Sequence, residues 1–330
     1  MFGAEIMEEH DMLLSNQIEK MLRKEMYTRK DNQSGIFYFS AADFPGLQAE
    51  PFSFASRRGH TLKGYFYSYP GAEEHRIVVF EHGIGNGHRA YMREIERLCR
   101  AGFVVFSYDH TGCMESGGEN PNGFGQSLCD LDDCFRALKQ HPALDGKVFS
   151  VVGHSWGGFS SMNIAACHPD LTHVVAMSGF ISVRAILHQF LPGLLKLFYP
   201  DLYRLEKASN PETVGACSIR TLRKSKIPTL LIYSDNDEMV TKRCHYDVLK
   251  DKLSGQENIH FLLVENRDHN PTYTREALDL KKVFLGDLRQ CNENCATSEQ
   301  KCRFMSRYDF LQMTEQDEAV WEVIIDHLRS

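Results

Sequence analysis

A serine between two glycines is the clearest chemical signal in the sequence. Residues 153–157 read Gly-His-Ser-Trp-Gly, a G-x-S-x-G motif with Ser155 at its centre. An apolar run, 148–152, precedes the motif, and a segment typical of a helix, 155–167, contains its second half. A serine at a tight turn between a buried strand and a helix is exposed for attack, and the helix N-terminus adds N–H groups behind it. The pattern predicts that Ser155 is the nucleophile of an acyl transfer reaction.

A serine hydroxyl attacks efficiently only when a general base takes its proton, and that base needs an orienting acid. In chain order the acid and then the histidine follow such a serine. Asp237 comes after the apolar run 229–233 and is the predicted acid, while Asp235 in the same turn is the alternative. His269 is the only histidine in the loop after the apolar run 261–264, and it is the predicted base.

The tetrahedral intermediate of acyl transfer carries an oxyanion that needs two hydrogen-bond donors. We expect the backbone N–H of Trp156, directly after the serine, to be one of them. The second is expected from Ile84, in the loop that follows the apolar run ending at Phe80. Glycines at positions 83, 85 and 87 allow this loop to approach a substrate closely.

The segments that must position these residues alternate between apolar runs and helical patterns. Continuous apolar strands separated by helices are typical of a mostly parallel sheet covered by helices on both faces. The sequence therefore predicts an α/β fold whose core comprises 46–180 and 227–330. The apolar runs lie at 77–80, 103–106, 148–152, 173–177, 229–233 and 260–264.

Three segments fall outside that alternation. Residues 1–45 are predicted to form an N-terminal helical extension, with its helix at 5–30, and a connector. Residues 181–226 are predicted to form a helical cap inserted before the strand that carries the acid. In this cap Phe190 and Leu194 belong to an apolar cluster. The cluster either forms a lid that binds an acyl chain or touches a membrane surface, or it packs on the core.

Near the C-terminus, the segment from about 278 to 313 is polar and holds Cys291, Cys295 and Cys302. Structural zinc sites usually contain close cysteine pairs and a fourth ligand, which this spacing lacks. We expect thiols on a polar loop there, with no metal and no cofactor. An amphipathic helix is predicted at 317–328.

Composition limits the classes of function. Of 330 residues, 42% are hydrophobic and 25% are charged, and the formal net charge is −7. Nucleic-acid-binding surfaces carry clustered lysine and arginine, so no nucleic-acid partner is expected. The most apolar stretch, 185–199, is short of the roughly 18 residues of a membrane span, and acidic residues near the N-terminus disfavour a signal peptide. We therefore expect a cytoplasmic protein whose ten cysteines are reduced.

Several motifs together resemble one family. They are His-Gly-Ile-Gly at 82–85 with Tyr91 beyond it, a D-H-x-G-x-x-x-S segment at 109–116, Gly-His-Ser-Trp-Gly-Gly at 153–158, a D-x-x-V turn at 237–240, and His269. In order and spacing, from about residue 50 to residue 271, they resemble the monoacylglycerol lipases and lysophospholipase-like hydrolases of the α/β-hydrolase superfamily. Serine aminopeptidase-like enzymes share most of these motifs. The resemblance implies the α/β-hydrolase fold and places Gly83 and Tyr91 at the substrate site.

The predicted function is cleavage of a carboxyl ester, either a small acyl ester or a monoacylglycerol- or lysophospholipid-like ester, through an acyl-enzyme on Ser155. The alternative is a serine aminopeptidase-like peptidase, which needs an acidic group near the pocket to hold a substrate ammonium. Glu81, Glu115 and the turn at Asp235 are candidates for that group. A third reading is a non-catalytic binding member of the fold, although such proteins usually lack a residue of the triad. The expected partner is a small-molecule ester.

Overall fold

The computed structural model describes residues 20, 23–24, 26–31, 38–191, 193–294 and 297–330. Most of the predicted N-terminal helix, 5–30, and part of the connector up to residue 45 lie outside these residues.

An eight-stranded sheet forms the centre of the protein, in the order β1-β2-β4-β3-β5-β6-β7-β8. β1 and β2 pair antiparallel, as do β2 and β4, whereas all pairings from β4 through β8 are parallel. The predicted mostly parallel sheet is therefore confirmed. The strands are β1 (Gln48–Ala55), β2 (Thr61–Ser68), β3 (Glu73–Glu81), β4 (Phe103–Tyr108), β5 (Val148–His154), β6 (Val174–Met177), β7 (Thr229–Ser234) and β8 (Ile259–Val264).

Helices cover both faces of this sheet, and the strand residues alternate between them. The helices are α1 (Met92–Arg100), α2 (Gln126–Gln140), α3 (Trp156–Ile164), α4 (Val183–Phe190), α5 (Tyr199–Ser209), α6 (Ser218–Lys224), α7 (Tyr246–Leu253), α8 (Arg275–Asn294), α9 (Ser298–Met305) and α10 (Glu318–Arg329). Val79 and Val151 face the apolar cluster that includes α2 and α3, whereas their neighbours Val78 and Val152 face the cluster that includes α1, α8 and α10. Among the helices that the structure describes, none is long and apolar enough to cross a membrane.

The polar segment near the C-terminus is helical rather than a loop. α8 buries Phe284 and Cys291 against the sheet, so the expectation of a polar loop around Cys291 is wrong. A helix that buries only one stripe of side chains has a polar average composition, which explains the misreading. Residue 295 and the side chain of residue 302 lie outside the described part. The predicted final helix is confirmed as α10, which the Asp317 carboxylate caps by accepting the N–H groups of residues 319 and 320.

The segment 181–226 lies between β6 and β7 and contains α4, α5 and α6. A buried carboxylate ties it to the core. Glu206 of α5 accepts the backbone N–H groups of Phe124, at 2.7 Å, and Gly125, at 3.4 Å, directly before α2 begins. Burial raises the pKa of Glu206 to about 7. The inserted segment thus holds the loop that leads into α2.

The turn between β5 and α3 holds the predicted nucleophile in a strained conformation. Ser155 has φ 57° and ψ −110°, a backbone geometry that residues other than glycine rarely adopt. Its N–H donates to the carbonyl oxygen of Met177 in β6, at 2.8 Å. At Gly157 a Cβ atom would lie 2.3 Å from the carbonyl oxygen of Glu81, so α3 and β3 approach too closely for any side chain there.

Replacing Gly157 by alanine should therefore destabilise the fold by about 1–3 kcal/mol, because α3 must move away from β3. Urea unfolding followed by circular dichroism measures this. Gly255→Ala is the matched control, since a Cβ atom at Gly255 meets nothing within 4 Å. We expect that control to stay within about 0.5 kcal/mol of the wild type. Equal stability of the two variants would contradict the close approach.

Candidate active site

Three of the predicted residues meet at one edge of the sheet. Ser155 follows β5, Asp237 follows β7 and His269 follows β8, and parallel neighbouring strands end at the same edge. His269 Nε2 lies 2.8 Å from Ser155 Oγ, and His269 Nδ1 lies 2.8 Å from Asp237 Oδ2. The structure thus brings the serine, the histidine and the acid into a continuous hydrogen-bonded row.

The carboxylate of Asp237 determines the direction of the protons in this row. Burial alone would raise the pKa of Asp237, but contact with His269 and the N–H groups of Val240 and Met239 lower it. Its Oδ1 accepts those two N–H groups at 2.9 and 2.8 Å, which leaves Oδ2 for His269. An ionised carboxylate can only accept, so Nδ1–H of His269 donates to it. When the ring is neutral, Nε2 carries the lone pair, and the hydroxyl of Ser155 donates to it.

The alternative acid, Asp235, has a different task. Its Oδ1 accepts the backbone N–H of Asn266 at 2.8 Å, in the loop that leads to His269. The side chain of Asn236 bonds to the same loop: its amide N–H donates to Oδ1 of Asp268, and its Oδ1 accepts the backbone N–H of Asp268, each at 2.9 Å. Asn266 and Asp268 have φ values of 55° and 46°. The turn that holds Asp237 therefore also shapes the histidine loop, and Asp235 belongs to that support.

The loop expected to bind the oxyanion is held by His82. Burial and the neighbouring His110 lower the pKa of His82 to about 3, so the ring is neutral. Its Nδ1–H donates to the carbonyl oxygen of Gly83 at 2.8 Å, and its Nε2 accepts the backbone N–H of His110 at 3.0 Å. Within the described chain, the N–H of Ile84 has no hydrogen-bond partner. The N–H of Trp156 lies in the first turn of α3, where no intrahelical acceptor exists.

Gly83 and Tyr91, which the sequence places at the substrate site, contact each other. The N–H of Gly83 donates to the hydroxyl of Tyr91 at 3.1 Å, and Tyr91 is only 6% exposed. A Cβ atom at Gly83 would lie 2.5 Å from that hydroxyl and 3.4 Å from Cβ of Ser155. Gly83 thus lies against the nucleophile, whereas Tyr91 supports the loop from the interior.

The two predicted acyl-binding residues of the inserted segment, Phe190 and Leu194, lie at the end of α4 and just after it. Phe190, at the end of α4, is 41% exposed, and Leu194 lies in the 3₁₀ helix Gly193–Phe198 with its side chain outside the described part. The neighbouring Gln189 donates its amide N–H to the carbonyl oxygen of Met239 at 2.9 Å and accepts the N–H of Thr241 at 3.0 Å. The end of α4 is thereby fixed to the turn that carries Asp237.

Two residues that support this site, Gln189 and Glu206, cannot be identified from the sequence. The indole N–H of Trp156 donates to the carbonyl oxygen of Phe124 at 2.7 Å, and Glu206 holds the N–H of that same residue. The large side chain after the nucleophile thus fixes a loop that the inserted segment also holds. No local pattern marks Gln189 or Glu206, because each bonds to residues some 50 or more positions away.

A buried aspartate of the D-H-x-G-x-x-x-S segment braces the neighbouring loop. Oδ1 of Asp109 accepts the N–H of His88 at 2.9 Å and its ring Nδ1–H at 2.7 Å, and Oδ2 accepts the N–H of Glu115 at 3.0 Å. Burial by itself raises the pKa of Asp109, but the contacts with His88 outweigh it and lower the pKa to about 2. No cluster of three metal-ligating side chains occurs in the part of the chain that the structure describes.

Solved structures share this fold. An esterase of Pyrococcus furiosus superposes with a TM-score of 0.58 at 18% identity, covering 80% of this chain and 98% of that one. Acetyl xylan esterase 1 of a Thermoanaerobacterium species gives a TM-score of 0.53 at 16% identity, covering 83% and 93%. Together with the strand order, these matches show the fold. The chain has the α/β-hydrolase fold. At these identities the likeness establishes the fold alone.

Sequence comparisons match parts of this chain to a peptidase family model and to proteins named as lipases. The family model described as serine aminopeptidase, S33, matches residues 72–218. A monoglyceride lipase homolog of monkeypox virus is 30% identical over 122 residues, which are 36% of this chain and 42% of that protein. A monoacylglycerol lipase of Mycolicibacterium smegmatis is 26% identical over 142 residues, 38% of this chain and 49% of that protein. Each match therefore spans less than half the length of the relative.

The two aspartates of the acid turn should respond differently to asparagine. Asp237→Asn removes the charge that orients and stabilises His269, and we expect kcat to fall by about 10⁴-fold. Asp235→Asn retains an oxygen that can accept the N–H of Asn266, so its loss should stay below about tenfold. Steady-state hydrolysis of a p-nitrophenyl ester measures both. A larger loss in Asp235→Asn than in Asp237→Asn would reverse the assignment of the acid.

The Asp109–His88 contact should make stability depend on acid pH. The folded-state pKa of Asp109, about 2, lies below its ordinary value of 3.8. Its contribution is therefore present above about pH 3.8 and is lost as the pH falls towards 2, with a total of about 2 kcal/mol. Urea unfolding of the wild type and Asp109→Asn at several pH values should show a shallower decline in the variant. Identical slopes would contradict the shift.

Proposed function

We propose that this protein is a serine hydrolase that cleaves a carboxyl ester through an acyl-enzyme on Ser155. The observation that carries the proposal is the 2.8 Å contact between Ser155 Oγ and His269 Nε2 at a strained strand-to-helix turn. Strain of this kind persists only where the surrounding structure enforces it, and it is concentrated at functional sites. The names of the two lipase relatives support an ester substrate.

In the proposed reaction, His269 takes the proton of Ser155 as the serine oxygen attacks the acyl carbonyl carbon. Asp237 stabilises the resulting imidazolium. The backbone N–H groups of Ile84 and Trp156 hold the oxyanion. His269 then gives its proton to the leaving alcohol, and water repeats the sequence on the acyl-enzyme to release the acid. The chemistry needs no cofactor.

The cap favours a substrate with an apolar acyl group, such as a small acyl ester or a monoacylglycerol- or lysophospholipid-like ester. Phe190 and Met239 are both exposed beside the acid turn, and Leu197 of the neighbouring 3₁₀ helix is 70% exposed. Exposed apolar side chains that lie together mark a binding surface for apolar groups. We propose that Phe190 lines the acyl path, and that Leu197 lets the cap touch a membrane surface transiently.

A peptidase is the second candidate, and the match to the S33 aminopeptidase model favours it. An aminopeptidase needs an acidic side chain free to bind the substrate ammonium. Each of the three candidates for that group already contacts another residue of this chain: Glu81 is buried within 3.3 Å of His110, Glu115 accepts the hydroxyl of Tyr65, and Asp235 accepts the N–H of residue 266. These contacts support an ester substrate over a peptide. The intact row of serine, histidine and acid argues against a purely binding role.

Hydrolysis of p-nitrophenyl esters, from acetate to palmitate, tests the proposal. The wild type should turn over at least one ester, and Ser155→Ala should lower kcat by at least about 10³-fold. Ser254→Ala, at an exposed serine beyond α7, is the matched control and should remain fully active. Aminoacyl p-nitroanilides are assayed in parallel.

Turnover of anilides without turnover of esters would replace the ester hydrolase by the peptidase. Activity retained in Ser155→Ala would show that another residue is the nucleophile. A preference for long acyl chains would support the cap as the acyl path, and a strict preference for acetate would contradict it.

A further inference from the structure

His154, the residue before the nucleophile, connects two parts of the active site. It is 5% exposed, and its ring centroid lies 4.8 Å from that of His269. Its Nδ1 lies 2.8 Å from the hydroxyl oxygen of Tyr91, and its Nε2 lies 2.6 Å from the backbone carbonyl oxygen of His269. The proposed reaction uses neither His154 nor Tyr91 directly.

The chemistry of the partners assigns every proton in this row. A carbonyl oxygen only accepts, so Nε2 of His154 carries the hydrogen and donates it to His269. Burial, followed by the neighbouring His269, lowers the pKa of His154 to about 3, so the ring is neutral and Nδ1 has a lone pair. The hydroxyl of Tyr91 must then donate to Nδ1, and its oxygen accepts the N–H of Gly83. One directed chain results, from Gly83 through Tyr91 and His154 to His269.

The chain has two geometric consequences. The N–H of Gly83 is committed to Tyr91, so the next N–H, that of Ile84, is the one left for the oxyanion. The carbonyl of His269 is held directly after Asp268, whose φ of 46° makes the loop conformation demanding. The imidazole of His269 must keep two 2.8 Å contacts at once, and an anchored backbone restricts its position.

We propose that His154 and Tyr91 are positioning residues that hold the oxyanion loop and the backbone of His269 in one hydrogen-bonded unit. The inference rests on the proposed function of the site. Of the two contacts that His154 makes, the proposal gives the contact with His269 the larger effect on turnover, because that contact positions the base.

Replacing His154 by glutamine or by asparagine tests the two halves of this hydrogen-bonded chain separately. The amide of glutamine reaches the position of the ring Nε2, so His154→Gln retains a donor for the His269 carbonyl. The amide of asparagine reaches only the position of Nδ1, so His154→Asn retains an acceptor for Tyr91. We expect His154→Asn to lower kcat by about 10- to 100-fold with KM changed less than about threefold. His154→Gln should recover most of that loss, and Tyr91→Phe should lower kcat by less than His154→Asn.

Each variant is compared with the wild type as the full chain, by ester turnover, by the rate of Ser155 labelling with a fluorophosphonate, and by thermal melting. His75→Gln, at an exposed position of β3, is the control and should match the wild type. Faster labelling of His154→Gln than of His154→Asn, at similar melting temperatures, supports the proposal. Equal rates in the two variants would overturn it, whether both match the wild type or both fall with the melting temperature.

The labelling rate also separates this proposal from the proposed function. If the wild type hydrolyses no ester but labels at Ser155, the ester hydrolase fails while the order of the variants still decides the role of His154. If the wild type does not label, the base is not placed for catalysis and the role of His154 fails with it.

Discussion

The strained backbone of Ser155 is the constraint on which the active site depends. Its φ of 57° and ψ of −110° turn the chain sharply from β5 into α3, so that Oγ projects at the carboxyl edge of the sheet. The bond from its N–H to Met177 holds the turn from the β6 side, and the close approach at Gly157 holds it from the β3 side. Because strands on both sides fix this geometry, the strained turn persists only within the formed sheet.

Around that turn, loops are fixed mainly by hydrogen bonds from side chains to the backbone. The carboxylates of Asp237 and Asp109 each accept at least two N–H groups from the backbone or from a histidine ring. The ring of His82 forms hydrogen bonds with both the loop that follows β3 and the loop that follows β4. Such buried polar groups are costly to leave unpaired, so each satisfied group favours one loop conformation over its alternatives. The position of His269 is restricted in this way, because hydrogen bonds fix both its ring and its backbone carbonyl.

The inserted segment belongs to the site rather than merely covering it. Glu206 holds the loop at Phe124, and Trp156 bonds to the same loop from the elbow. Gln189 bonds to the turn that carries Asp237. A movement of the segment would therefore alter contacts on both sides of Ser155.

The sequence by itself determined the order of strands and helices and the positions of Ser155 and His269, because strand periodicity and strand-terminal motifs are local in the chain. The distinction between Asp235 and Asp237 needed the tertiary structure, since both occupy one turn and only the packing against the β8 loop separates them. The helix around Cys291 was misread because a one-sided apolar stripe leaves a polar average. The supporting contacts of Tyr91 and Glu206 could not be predicted, because their partners include residues that are distant in sequence. Only folding brings a single polar side chain to the group with which it forms a hydrogen bond.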